Sequence, residues 1–108
     1  MTLLELPDLI HLEISKALLN EVIPSLRGVA FDWDPKNEFV MIFFYHEGQL
    51  SDSIEEHYSC IDNEASTRFI FNKRLLEHDY EVKTDQIGHE LPEHDNWVYL
   101  RKEPFVDP

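Results

Sequence analysis

The densest group of side chains that could bind a metal ion lies near the carboxyl end of the chain. His89 and His94, with carboxylates beside them, are the ligand types that zinc and similar borderline ions take. Pro92 interrupts this segment, so the two imidazoles need not share a face, and their spacing matches no well-defined zinc motif. We therefore predict a solvated loop and no cofactor. A metal-dependent enzyme that uses both histidines stays open as an alternative.

Nucleophilic catalysis by Cys60, the only cysteine, is a second possible chemistry. His57 lies three residues earlier, a spacing that brings two side chains together on a helix. The surrounding acids suppress the thiolate that such catalysis needs. The sequence also has no phosphate-binding glycine loop, no nucleophile elbow and no His-Glu-x-x-His helix. We therefore predict that the chain is not an enzyme.

Charge is the most unusual property of the chain. Nine Lys and Arg stand against 22 Asp and Glu, which gives a formal net charge of −13 at pH 7. This balance repels nucleic acids and anionic membranes and attracts basic proteins. Twelve of the acids lie in residues 51–67 and 77–97, which hold a single cation, Lys83. Such stretches form either a solubilising face or a surface that steers a cationic partner into contact. The predicted partner-binding residues are Asp52, Glu55, Glu56, Asp62, Glu64, Glu90, Glu93 and Asp95.

The first half of the chain shows one helical and two strand patterns. Apolar residues at spacings of three and four predict a helix from Asp8, as its N-cap, to about Val22. Strict alternation predicts a strand over 27–33, followed by a proline turn. The next strand, over 39–45, is apolar on both faces and therefore needs cover on both sides.

The second half predicts one helix and two weaker strands. A capping pattern around Ser51 begins a helix that we expect to fade between 71 and 75. The strands are predicted around 79–86 and 96–102. The order α-β-β-α-β-β predicts an α+β two-layer sandwich: an antiparallel sheet of about four strands with both helices on one face.

Length and cysteine content set further limits. One hundred and eight residues suit a single domain, 1–108. One cysteine closes no intramolecular disulfide, and the first thirteen residues carry acids but no Lys or Arg, unlike an export signal. The longest apolar run has seven residues, against the roughly 20 of a membrane helix. We expect a cytoplasmic protein that does not contact membranes.

Four short segments, spread over most of the chain, carry a resemblance to a known family. They are ALLNEVIPSLRGV at 17–29, GQLS at 48–51, CIDNE at 60–64 and WVYLRKE at 97–103. The chain resembles the immunity proteins of contact-dependent growth inhibition, small bacterial proteins that usually have glycine where this chain has Asn20. The resemblance implies a cytoplasmic protein that binds and blocks a cognate toxin, commonly a nuclease, and has no catalytic residues.

The charge and the resemblance favour the same hypothesis. A nuclease holds phosphates in a positive groove, and an acidic protein can cover that groove. The partner is then a basic toxin domain rather than a nucleic acid, and the chain is a monomer or a weak homodimer. The alternative is a small non-enzymatic housekeeping or regulatory protein that acts as a homodimer. It is motivated by 39–45, because helices on one side of a sheet leave Phe and Met exposed on the other.

Overall fold

The computed structural model describes residues 6–71, 74–85 and 91–101. Within these residues, two helices and a four-stranded sheet form two layers, which confirms the predicted α+β class and its element order. A short hairpin follows the second helix, and neither described helix is long and apolar enough to cross a membrane. The elements are α1 Leu6–Leu18, β1 Leu26–Asp34, β2 Phe39–Glu47, α2 Asp52–Ser66, β3 Ile70–Phe71, β4 Arg74–Leu75, β5 Glu77–Asp85 and β6 Trp97–Leu100.

The sheet is mixed, which corrects the expected antiparallel pairing. Its strand order is β5-β2-β1-β6. The pairs β1–β2 and β1–β6 are antiparallel, but β2 and β5 run parallel over their full length. The reason is the connection: α2 carries the chain from the end of β2 back to its beginning, so the next strand enters in the same direction.

Both helices pack on the same face of the sheet. They contact each other, and α2 also contacts β5 while α1 contacts β6. One side of β1 and β2 meets the helices in a common hydrophobic core, and neither of the two described helices packs on the opposite face of the sheet. The core residues supplied by these four elements include Ile10, Ile14, Val29, Phe31, Val40, Ile42, Phe44, Tyr58, Ile61 and Ala65.

The helix ends differ from the prediction. The first helix already includes Leu6, the first described residue, so it extends beyond the predicted cap Asp8, and it ends at Leu18 rather than near Val22. It ends early because Asn20 adopts a left-handed conformation, with φ 64°, which is a common way to terminate a helix. Glycine adopts that conformation most easily, and asparagine is also found in it at helix ends.

The second helix starts as predicted but ends sooner. The Ser51 hydroxyl caps it by accepting a hydrogen bond from the Ile54 amide at 3.2 Å. It ends at Ser66 instead of fading between 71 and 75, and β3 and β4 occupy that stretch. Phe69 continues the helical spacing of apolar residues in the sequence. It is buried in the core, but it lies after the turn that follows the helix.

Candidate functional site

The face of the sheet opposite the helices carries the most distinctive surface of the molecule. Side chains alternate between the two faces of a strand, so the neighbours of the core residues point away from the helices. We call this surface the open face. On β2 its residues are all apolar or aromatic, and on β1 and β5 most of them are acidic. The open face consists of Ala30, Asp32, Asp34, Phe39, Met41, Phe43, Tyr45, Glu77, Asp79, Glu81 and Lys83, with Trp97 of β6 and His94 beside them.

Strand register places carboxylates on both sides of the apolar column of β2. The acids Asp32, Glu77, Asp79 and Glu81 are exposed, whereas Asp34 is partly buried. The Asp34 carboxylate accepts hydrogen bonds from the Asn37 side chain and the Lys36 amide, and the Asn37 bond lowers the pKa of Asp34. Three rows cross the strands β1, β2 and β5: Asp34–Phe39–Glu77, Asp32–Met41–Asp79 and Ala30–Phe43–Glu81.

Four rings meet at one end of the open face. We call Phe43, Tyr45, His94 and Trp97 the aromatic cluster. The His94 ring centroid lies 5.2 Å from that of Phe43 and 5.0 Å from that of Trp97, and Trp97 lies 5.5 Å from Tyr45. Gly28 makes room for the indole, because a Cβ atom there would come within 2.8 Å of it.

His94 joins the aromatic cluster to the acids around it. Its Nε2 is hydrogen-bonded to the Tyr45 hydroxyl, and its Nδ1 lies 3.7 Å from Asp32 Oδ1. Burial raises the pKa of Tyr45, and the negative charges of Asp32 and Glu81 raise it further. Burial is the larger cause of this shift, and the two carboxylates contribute the smaller, electrostatic part.

Four of the predicted partner-binding acids are exposed on α2. Asp52 and Glu55 lie in its first turn, where negative charge also stabilises the helix dipole. Glu56 follows them, and Glu64 lies in the last turn with its carboxylate 3.8 Å from Arg68. These acids are on the helix side of the molecule, away from the open face.

Asp62 lies inside the protein. It is only 3% exposed, and its Oδ1 lies 3.2 Å from His78 Nδ1 on β5. Burial raises the pKa of Asp62, while the charge and hydrogen bond of His78 oppose the shift. This buried carboxylate links α2 to the sheet.

The remaining predicted acids lie in the segment that leads into β6. Glu93 and Asp95 are exposed on either side of His94, so they border the open face. Glu90 lies outside the described residues. Glu77, Asp79 and Glu81 lie in the acidic stretch 77–97, but neither they nor Asp32 were among the predicted partner-binding residues. The sequence feature that points to these acids is the alternation of side chains along β1 and β5, together with 39–45, a segment that is apolar on both faces.

The described residues do not support the two catalytic alternatives. They contain no group of three His, Cys, Asp or Glu side chains that could hold a metal ion. His94 belongs to the aromatic cluster, and its predicted partner ligand His89 lies outside the described residues. Cys60 is exposed, but His57 Nε2 donates a hydrogen bond to the Glu21 carbonyl, 2.6 Å away in the turn after α1.

Comparison with known families decides the class of protein. The sequence profile of the MafI2 immunity protein family matches residues 7–103, nearly the whole chain. The chain belongs to this family. MafI2 immunity proteins are toxin-immunity proteins, so the predicted resemblance is confirmed at that level. Among curated proteins, none matches this chain.

Membership of the MafI2 immunity protein family also indicates how the protein acts. An immunity protein neutralises its toxin by binding it, which points to a non-enzymatic inhibitor with a toxin as partner. The functional surface of this MafI2 immunity protein is then the one that contacts the toxin. The two exposed acidic regions, on α2 and on the open face, are the candidates.

Proposed function

We propose that this MafI2 immunity protein binds a basic toxin domain of a contact-dependent growth inhibition system and blocks its nuclease activity in the cytoplasm. The observation that supports this proposal best is the net charge of −13. Six of the eight acids predicted to bind the partner are exposed in the described residues. The acids Asp32, Glu77, Asp79 and Glu81 are exposed as well.

A nuclease is the toxin class that this charge suits. An enzyme that holds phosphates carries Lys and Arg in its substrate groove. A strongly acidic protein is attracted to that groove, and the attraction raises the association rate by orders of magnitude at low ionic strength. Inhibition then needs only a stable one-to-one complex and neither a metal nor a catalytic residue of the immunity protein.

Protection of cells and inhibition in solution test the proposal together. The toxin domain encoded beside the immunity gene is expressed with and without this chain, and the purified pair is assayed for nucleic-acid cleavage. We expect growth to be restored, and cleavage to stop at one equivalent of immunity protein. A heat-unfolded sample of the same chain is the matched control. Absence of both binding and protection would refute the proposal.

The electrostatic part of the proposal has its own measurement. Raising the salt concentration from about 20 to about 150 mM shortens the Debye length from roughly 20 to 8 Å. The association rate with the toxin domain should fall at least about 10-fold over this range. An association rate that does not change with salt would contradict electrostatic steering.

A further inference from the structure

We propose that the toxin docks on the open face, centred on the aromatic cluster, and not on α2. This inference rests on the proposed function, because it takes a basic toxin domain as the partner. It differs from the sequence-based expectation, which placed most of the contact on the acids of α2. Apolar anchors and charge complementarity support it.

The open face has the side chains that dominate the binding energy of protein interfaces. Aromatic residues near the centre of an interface, surrounded by polar side chains, contribute most of that energy. Phe43, His94 and Trp97 are only partly buried, and their rings lie together. Met41 and Phe39 continue this apolar surface along β2. The exposed surface of α2 is polar apart from its cysteine and offers no comparable anchor.

Ion pairs occur on both acidic surfaces. On α2, Glu64 Oε1 lies 3.8 Å from Arg68. On the open face, Glu81 Oε2 lies 3.3 Å from Lys83 Nζ, and Asp32 Oδ1 lies 3.7 Å from His94 Nδ1. The open face therefore differs from α2 in the aromatic side chains beside its acids and not in its ion pairs.

Charge also indicates which partner can occupy this face. A second copy of the chain would bring the same carboxylate rows opposite each other, and the repulsion opposes a face-to-face dimer. A cationic protein surface fits instead, because Lys and Arg side chains can reach Asp32, Asp79 and Glu81. Guanidinium groups can in addition stack on Phe43 and Trp97. The toxin domain is thus the occupant that the open face fits.

Two matched charge reversals test the assignment. Asp79→Lys with Glu81→Lys changes two exposed acids on β5, and Glu55→Lys with Glu56→Lys makes the same change in net charge on α2. At low salt, we expect the β5 pair to slow association with the toxin domain at least about 10-fold, and the α2 pair less than about 3-fold. Phe43→Ala should raise Kd about 30-fold, the loss typical of a central aromatic anchor.

Controls separate loss of binding from loss of folding. Each variant is first checked by thermal unfolding, and the milder pair Asp79→Asn with Glu81→Gln should slow association in the same direction if the lysine pair is unstable. If the wild-type chain binds the toxin and only the α2 pair weakens the complex, the inference is wrong and the proposed function stands.

Two other results are decisive. A wild-type chain that does not bind the toxin would refute the proposed function, and this inference with it. Analytical ultracentrifugation should show a monomer at micromolar concentration. A dimer that Phe43→Ala dissociates would show that a second copy covers the open face, and would overturn the inference.

Discussion

Replacing Tyr58 with phenylalanine removes one hydroxyl from the interior of the protein. Tyr58 lies on α2 and is fully buried, and its hydroxyl is 2.7 Å from His46 Nδ1 on β2. Burial raises the pKa of Tyr58 to about 12, so the phenol remains protonated and donates this hydrogen bond. The other ring nitrogen of His46 donates to the Gln49 carbonyl at 3.2 Å.

The size of the effect follows from what phenylalanine keeps and what it loses. The ring would still stack on Phe44, with centroids 4.9 Å apart and planes at 17°, so no cavity forms. His46 is only 1% exposed, and its Nδ1 would be left without this partner in the core. Leaving one buried polar group unsatisfied costs about 1–3 kcal/mol. For a domain of this size, the Tm should fall by about 4–15 °C.

Urea unfolding followed by circular dichroism measures this loss directly. Tyr80→Phe is the matched control, because Tyr80 is half-buried and its ring contacts the same Phe44 edge to face. We expect the control to change the free energy of unfolding by no more than about 0.5 kcal/mol. An equal loss in both variants, or a loss below that value for Tyr58→Phe, would refute the buried hydrogen bond as the cause.

Two further predictions concern the backbone and the buried carboxyl group. Asn20→Gly should leave the free energy of unfolding unchanged or raised, whereas Asn20→Ala should lower it by about 1 kcal/mol, because φ there is 64°. Thermal unfolding checks both, and an alanine variant as stable as the glycine variant would contradict the account. Burial raises the folded-state pKa of Asp62 above its unfolded value, so the stability it contributes is greatest below about pH 4 and is lost as pH rises through the folded pKa. Between pH 3 and pH 7, the urea midpoint of Asp62→Asn should therefore rise relative to that of the wild-type chain. A difference between the two midpoints that stays constant with pH would show that Asp62 does not titrate in this way.

Local periodicity predicted much of the fold. The alternation that indicates β1 and the apolar segment that indicates β2 are properties of neighbouring residues, so both strands lie within a few residues of their predicted bounds. The segment 39–45 was also predicted to need cover on both faces, and the structure shows contacts on both. Phe44 contributes to the core under the helices, and Phe43 packs against His94 on the open face.

Partner strands were not predictable in the same way. The amphipathic pattern of a strand does not state whether its neighbour runs parallel or antiparallel, and the crossover through α2 decides it for β5. The end of α2 depends on the turn before β3, whereas the spacing of apolar residues continues through Phe69. Tertiary context thus sets both features.

The candidate site shows the same limit. Density of acids along the sequence drew attention to α2, but density does not show which face of the molecule a residue occupies. Asp32 and Asp79 are distant in sequence, and they lie on either side of Met41 only because β1 and β5 both pair with β2. Asp62 was expected on the surface, but α2 packs against β5 at that position.

Fluorine NMR of the complex tests most directly whether the toxin contacts the open face. The chain has two tryptophans: Trp33 packs against the core on the helix side, and Trp97 lies in the aromatic cluster. The chain is labelled with 5-fluorotryptophan, its resonances are assigned through Trp33→Phe, and unlabelled toxin domain is added. We expect the Trp97 resonance to shift and to saturate at one equivalent while the Trp33 resonance stays in place. A complex in which the Trp97 resonance does not shift would contradict docking on the open face.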